Sequence, residues 1–136
     1  MAYELEWCID DAVILQRVNG TPASSQTHES SQKIFQMIDN SDRDLVHLLV
    51  NVSGVESFET SKLEDLIHDT RDMLEHKRIG WVIVFGQNSR IIRYLYSIVT
   101  QVFKVRFRMF DSADGAINFL LEQDTRLPDL SPNDIV

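Results

Sequence analysis

The sequence predicts a single α/β domain with a mixed, mostly parallel β-sheet and an antiparallel hairpin at its N-terminal end. Short apolar segments alternate with amphipathic helical segments in the order β-β-α-β-α-β-α-β-α. Strands that alternate with helices form parallel sheets through right-handed crossovers. The chain has 136 residues, which is enough for one domain with its own core. We therefore expect one domain over residues 1–123, with helices packed on the sheet.

The first two strands and the first helix follow from the N-terminal third of the sequence. Residues 3–7 (YELEW) alternate in polarity, and residues 13–18 (VILQRV) are rich in β-branched side chains. Asp10 and Asp11 lie between them, which predicts a hairpin with a solvated turn. A helix is predicted over residues 24–40, and its first half is unusually polar.

Three more strands are predicted from the remaining apolar segments. Residues 45–52 (LVHLLVNV) and 80–86 (GWVIVFG) are nearly unbroken apolar runs. Such runs are typical of strands that are covered on both faces of a parallel sheet. Residues 104–110 (KVRFRMF) alternate apolar and basic side chains. This alternation predicts a strand at the edge of the sheet, protected by its charges.

The remaining helices are predicted from apolar periodicity and capping residues. Residues 61–76 carry one apolar stripe and an acidic face, which is typical of a surface helix. Asn88 or Ser89 can cap the next helix, and Asp111 or Ser112 can cap the last one. We expect residues 124–136, which contain two prolines, to form a flexible C-terminal tail.

Composition and charge exclude several classes of function. The net charge of −8 and the pI of about 4.8 argue against general binding to nucleic acids or anionic membranes, which require a basic face. No apolar run approaches the roughly 20 residues that a membrane span needs. The N-terminal sequence also lacks the pattern of a secretory signal, so we expect a cytoplasmic protein.

No constellation of residues indicates an active site or a metal site. The four histidines show no HExxH motif and no close pairing, so we expect no bound metal. His47 lies in a predicted buried strand and is interpreted as a hydrogen-bonded core or edge histidine. Cys8 is the single cysteine and has no histidine near it in the sequence. Glycine-rich nucleotide-binding motifs are also missing from the sequence. We therefore expect neither an enzyme nor a cofactor.

The segment SGVESFETSKLED, residues 53–65, has two interpretations. Ser61 and Glu64 form an S-x-x-E capping box ahead of an apolar helical stripe. The same helix start would also stabilise a phosphate, because a phosphoryl group brings negative charge to the positive end of the helix dipole. Ser61 is therefore either a helix cap or a phosphorylation site, and the residues alone do not decide between the two.

The element order and this segment together resemble the STAS domain, named for sulfate transporters and anti-sigma factor antagonists. The resemblance covers roughly residues 4–122. In that family an aspartate, two hydroxyl or small residues, a glycine and a leucine open a helix, and the second position is phosphorylated. The matching positions here are Glu59, Thr60, Ser61, Lys62 and Leu63. Glutamate therefore replaces the aspartate and lysine replaces the glycine, so the motif is degenerate.

The resemblance implies a non-enzymatic regulatory module that binds a protein partner, either an anti-sigma factor, a kinase-like protein or another signalling protein. It implies phosphorylation at Thr60 or Ser61 as the switch. The alternative function is the binding of a small molecule or lipid, without a phosphoswitch, between the sheet and the polar first helix. We also expect a homodimer, with residues 104–108, Tyr94 and Tyr96 at a self-association surface. The residues expected at the partner surface are Ser53, Ser57, Glu59, Thr60, Ser61, Lys62, Asp65, Asn88, Ser89 and Arg90.

Overall fold

The computed structural model describes residues 2–57 and 63–136 and shows a five-stranded sheet. The strands lie side by side in chain order, β1-β2-β3-β4-β5. β1 pairs with β2 in antiparallel orientation, and the other three pairs are parallel. The predicted mixed sheet with an N-terminal hairpin is confirmed. The strands are β1 Tyr3–Ile9, β2 Val13–Gly20, β3 Val46–Val55, β4 Ile79–Phe85 and β5 Arg106–Phe110.

Three helices cover one face of the sheet and the fourth covers the other. On the first face, Ile34 and Ile38 of α1 and Met73 of α2 pack against strand residues such as Leu48. On the second face, α4 packs through Leu120 and its neighbours. Ser89 and Ser112 cap α3 and α4, as the sequence predicted. The helices are α1 Ser24–Asn40, α2 Leu63–Leu74, α3 Arg90–Val102 and α4 Ala113–Gln123.

The C-terminal segment, residues 124–136, packs against the sheet beside α4, where the sequence analysis predicted a flexible tail. Leu127, Leu130 and Ile135 are buried in the same core as α4. The backbone is also held, because Asn51 Nδ2 donates to the carbonyl oxygen of Ile135 at 3.0 Å. These three buried side chains cover the part of this sheet face that α4 leaves open, and the segment includes a short 3-10 helix, Pro132–Asp134.

α3 is less buried than its apolar stripe predicted. Only Ile92 of this helix is fully buried, whereas Tyr94 and Val102 are 54% and 44% exposed. Tyr96 was expected on the surface, but its ring packs edge-on against Phe107, with 5.2 Å between the ring centroids. The neighbouring strand β5 lies at the edge of the sheet, with Arg106 and Arg108 exposed, as predicted.

Candidate functional site

The carboxyl ends of β3 and β4 lie side by side and bring two loops together. Gln87, in the loop after β4, donates from Nε2 to the carbonyl oxygens of Val52 at 2.6 Å and Val55 at 3.1 Å. This side chain therefore ties the loop before α3 to the end of β3. We name the exposed region formed by these two loops and the first turn of α2 the docking surface; its described residues are Ser57, Asp65, Asn88, Ser89 and Arg90.

The close approach of the two strand ends requires a glycine. Gly86 has a φ of +113°, and a Cβ at this position would lie 2.9 Å from the backbone nitrogen of Ser53 and 3.0 Å from Asn51 Oδ1. Asn51 Oδ1 in turn accepts hydrogen bonds from the backbone N–H and the hydroxyl of Ser53. A side chain at Gly86 would thus be strained and would disturb the start of the loop after β3.

The loop after β3 is also held on its other side, by the loop after β2. The hydroxyl oxygens of Thr21 and Ser57 lie 2.9 Å apart, and the backbone N–H of Glu56 donates to the carbonyl oxygen of Gly20 at 2.8 Å. The loops after β2, β3 and β4 are therefore joined to one another by hydrogen bonds along one edge of the sheet.

The structure places five of the predicted site residues on or beside this edge. Ser57, Asn88 and Arg90 are exposed, and Asp65 lies partly exposed in the first turn of α2. Ser89 is the N-cap of α3, and its hydroxyl accepts from the backbone N–H of Ile92 at 3.3 Å. A sixth predicted residue, Ser53, is exposed near the end of β3, where its backbone N–H and hydroxyl donate to Asn51 Oδ1. The other predicted residues, and the capping box at Ser61, lie outside the described residues; these are Glu59, Thr60, Ser61 and Lys62.

A buried His47–Asp124 pair is the most polar feature of the core. His47 Nε2 lies 2.9 Å from Asp124 Oδ2, and both side chains are more than nine-tenths buried. His47 Nδ1 accepts from the backbone N–H of Trp81 at 2.9 Å. The proton of the neutral ring is therefore on Nε2 and is donated to the carboxylate. Because both ring nitrogens are occupied, the pair cannot serve as a general base, and the interpretation of His47 as a hydrogen-bonded core histidine is confirmed.

The titration of this pair follows from its surroundings. Burial lowers the pKa of His47 below 6.5, and the hydrogen bond to Asp124 only partly offsets the loss of solvation. Burial alone would raise the pKa of Asp124, but hydrogen bonds from Arg126 and His47 outweigh it and lower the pKa to about 2. The pair therefore carries a neutral imidazole and an ionised carboxylate over the whole physiological range.

Two other groups of polar residues also lack the geometry of a catalytic site. Ser24 donates to Asp69 Oδ2 at 2.6 Å, and His28 Nδ1 lies 3.6 Å from Asp69 Oδ1. The serine thus contacts the carboxylate and not the imidazole, so the three residues do not form the serine–histidine arrangement of a nucleophilic site. Burial raises the pKa of the Cys8 thiol to about 11, which keeps it protonated.

The described part of the chain contains neither a cluster of metal ligands nor a membrane-spanning helix. No cluster of three or more histidine, cysteine or acidic side chains there has the geometry to hold a metal ion. Within residues 2–57 and 63–136, no helix combines the length and apolar character that crossing a membrane requires.

A cavity of about 140 Å³ lies between the sheet and helices α2 and α3. The alternative function predicted a ligand space between the sheet and the polar first helix, whereas α1 contributes only to one end of this cavity. We name it the helix-side cavity. Its floor is formed by β2–β5 and its walls by α2 and α3, and the polar first half of α1 closes one end. Helix periodicity identified the apolar residues of α2 and α3 that line it, such as Leu66, Leu95 and Val99, but it could not show that the two helices leave a gap. The main lining residues are Tyr3, Gln16, Thr27, Ser31, Leu48, Val50, Val84, Leu66, Thr70, Leu95, Tyr96, Val99, Phe107 and Met109.

Comparisons with known proteins identify the type of fold. No protein-family model matches the chain, and no curated protein is significantly similar to it in sequence. An uncharacterised protein from Shewanella loihica PV-4 with a SpoIIAA-like fold is similar in structure, with a TM-score of 0.62 and 15% identity. The alignment covers 88% of this chain and 92% of that protein.

The anti-sigma factor antagonist SpoIIAA in its unphosphorylated form is also similar in structure. Its TM-score is 0.55 at 18% identity, and the alignment covers 88% of this chain and 97% of SpoIIAA. The chain therefore has a STAS-like fold, as the resemblance of the sequence implied. Identities this low concern the fold alone.

Proposed function

We propose that this chain is a non-enzymatic, cytoplasmic regulatory module that binds a signalling protein, such as an anti-sigma factor or a kinase-like protein, through the docking surface. The observation that carries the proposal is the pair of hydrogen bonds from Gln87 to the end of β3, which holds two polar loops in one connected edge. Exposed loops held in this way suit recognition by a partner, because loops on a rigid scaffold carry binding residues. The STAS-like fold of an anti-sigma factor antagonist supports the same function.

The regulation that we propose is phosphorylation at Thr60 or Ser61, just before α2. A phosphoryl group adds about −1.5 to −2 charge at neutral pH. It would add this charge within five residues of Asp65 in the sequence, and would thereby change the charge that a partner meets.

The test combines phosphosite mapping with charge reversal on the docking surface. Chain purified from its native cell should carry a single phosphate at Thr60 or Ser61 under at least one growth condition. Proteins captured by the wild-type chain should be lost with Asp65→Lys or Arg90→Glu and kept with Asp10→Lys, a control in the hairpin turn at the opposite end of β2. Equal capture by all variants would contradict the docking surface, and an unmodified chain under every condition would contradict the switch.

We also propose homodimerisation through the exposed edge strand β5. Its free edge and exposed arginines support this assignment. Sedimentation analysis of the wild-type chain and of Arg108→Glu tests it: a dimer that persists in the variant, or a monomer in both, would contradict it.

A further inference from the structure

The helix-side cavity exposes the middle of the sheet where a parallel sheet is normally covered. Gln16, Val50, Val84 and Met109 lie side by side in one row across β2–β5. The two valines belong to central strands, yet both remain partly exposed. In the adjacent row, Leu48 is 1% exposed. The gap is therefore local, and it lies over an apolar floor that nothing in the described part of the chain covers.

The walls show the same incomplete burial. Leu66 and Thr70 of α2, and Leu95 and Val99 of α3, face the cavity and are only partly buried. Thr70 has turned its hydroxyl onto its own helix, where it donates to the carbonyl oxygen of Leu66 at 2.8 Å. The methyl group is therefore the part of the Thr70 side chain that is available to line the cavity. A packed interior rarely leaves such space unfilled, because apolar atoms lose contacts wherever a void remains.

Most polar groups of the lining lie at one end of the cavity, where α1 meets β1 and β2, whereas the hydroxyls of Thr70 and Tyr96 donate to backbone carbonyl oxygens of Leu66 and Phe107. Tyr3 and Thr27 are joined by a hydrogen bond of 2.7 Å, and Thr27 also donates to the carbonyl oxygen of Ala23. The tyrosine is therefore the donor to Thr27, and its oxygen keeps acceptor capacity. Gln16 donates from Nε2 to Ser30 at 2.7 Å. Its carbonyl oxygen is a further group at this end of the cavity that can accept a hydrogen bond.

The charge and size of the cavity limit what it can bind. Every described residue that lines it is uncharged. A charged ligand would lose its hydration without gaining a partner, so the lining selects neutral molecules. A volume of about 140 Å³ is close to that of an engineered apolar cavity of ~150 Å³ that binds benzene.

We propose that the helix-side cavity is a binding site for a compact, neutral molecule of about one ring, with an apolar body and one hydrogen-bond donor. The body would lie over Val50 and Val84, between α2 and α3. The donor would point toward Gln16 and Tyr3 at the polar end. This site is separate from the docking surface, so the proposal of a ligand does not depend on the proposed protein partner.

Benzyl alcohol is the probe, because it combines one ring with one hydroxyl group. We expect saturable binding with a dissociation constant of about 0.1–1 mM, measured by NMR titration of methyl-labelled chain. Shifts should be confined to cavity methyl groups such as those of Val50, Val84 and Leu95. Benzoate, of similar size but charged, should bind at least ~10-fold more weakly. Biphenyl-4-methanol, with a second ring, should not bind in the cavity.

Two variants fill the cavity from opposite sides, and a third is the matched control. Val84→Phe adds a ring from the floor and Leu95→Phe adds one from the wall, so each should abolish saturable binding. Val102→Phe makes the same type of change at an exposed position on α3 and should leave binding unchanged. Circular dichroism and thermal unfolding identify any variant that does not fold, and the other filling variant then decides the test.

The proposal is overturned by any of three results. These are that benzyl alcohol does not bind saturably, that benzoate binds as tightly as benzyl alcohol, or that a folded filling variant binds benzyl alcohol as tightly as the wild type does. Loss of partner capture by Asp65→Lys would not bear on these outcomes, so the two proposals can fail separately.

Discussion

Replacement of Asp124 by asparagine tests how the C-terminal segment is fixed to the sheet. Asp124 accepts hydrogen bonds from His47 and from the side chain and backbone of Arg126. An asparagine carbonyl can still accept from His47 Nε2, so the imidazole stays paired. The charge-assisted part of the interaction with Arg126 is lost. The variant therefore removes a charge from a buried pair without leaving a cavity.

The expected loss of stability follows from the pKa of Asp124. A decrease from 3.8 to about 2 corresponds to roughly 2–3 kcal/mol of preference for the ionised form. Arg126 is 59% exposed and solvent screens it, so we expect about 1–2 kcal/mol to be measured. Because the folded pKa is the lower one, the unfolded chain binds a proton first as the pH falls. The stabilisation is complete above about pH 5 and is lost between about pH 4 and 2.

Urea unfolding followed by tryptophan fluorescence measures this effect at pH 7, 5, 4 and 3. The free energy of unfolding of Asp124→Asn should be lower than that of the wild type at pH 7, and the difference should shrink as the pH falls. Asp129→Asn, an exposed residue of the same segment, is the matched control and should change stability by less than ~0.5 kcal/mol. A difference below that limit at pH 7, or one that stays constant to pH 3, would refute the reasoning.

The remaining predictions concern other contacts of the core, and urea unfolding measures each. Ile135 is fully buried, so Ile135→Ala should cost about 2–5 kcal/mol; a cost equal to that of Val136→Ala, at an exposed neighbour, would contradict its packing. Arg78 donates to four backbone carbonyl groups at and after the end of α1, so Arg78→Met should cost about 1–3 kcal/mol, and an unchanged midpoint would contradict this. A Cβ on Gly80 would lie 2.3 Å from His47 Nδ1. Gly80→Ala should therefore destabilise the chain by about 1–3 kcal/mol, and wild-type stability would contradict that.

Most of the fold could be predicted because it depends on local patterns. The unbroken apolar run that contains Leu48 and Leu49 predicts a strand covered on both faces, and both residues are buried in the structure. Helix α1 begins and ends at the predicted residues, Ser24 and Asn40. Alternation of strands and helices then limits the topology, since parallel connections have one hand.

The features that could not be predicted depend on residues far apart in the sequence. His47 and Asp124 are separated by 77 positions, and no local periodicity connects them. The C-terminal segment has neither the period of a strand nor that of a helix, so its apolar residues gave no signal of packing. The stripe of α3 showed which side chains turn inward, but the distance between α3 and α2, which creates the helix-side cavity, is a tertiary property.

The two faces of the sheet therefore differ in structure, and we expect a change on one face to leave the properties of the other face unaltered. The face under α4 and the C-terminal segment is closed and holds the His47–Asp124 pair, whereas the face under α2 and α3 contains the helix-side cavity. Asp124→Asn should then lower the free energy of unfolding without changing the affinity for benzyl alcohol, because distant sites without shared partners act additively to within ~0.5 kcal/mol. Val84→Phe should do the converse and abolish binding while the chain remains folded. A change of more than about threefold in the affinity of Asp124→Asn would mean that the sheet couples its two faces, and this expectation would be wrong.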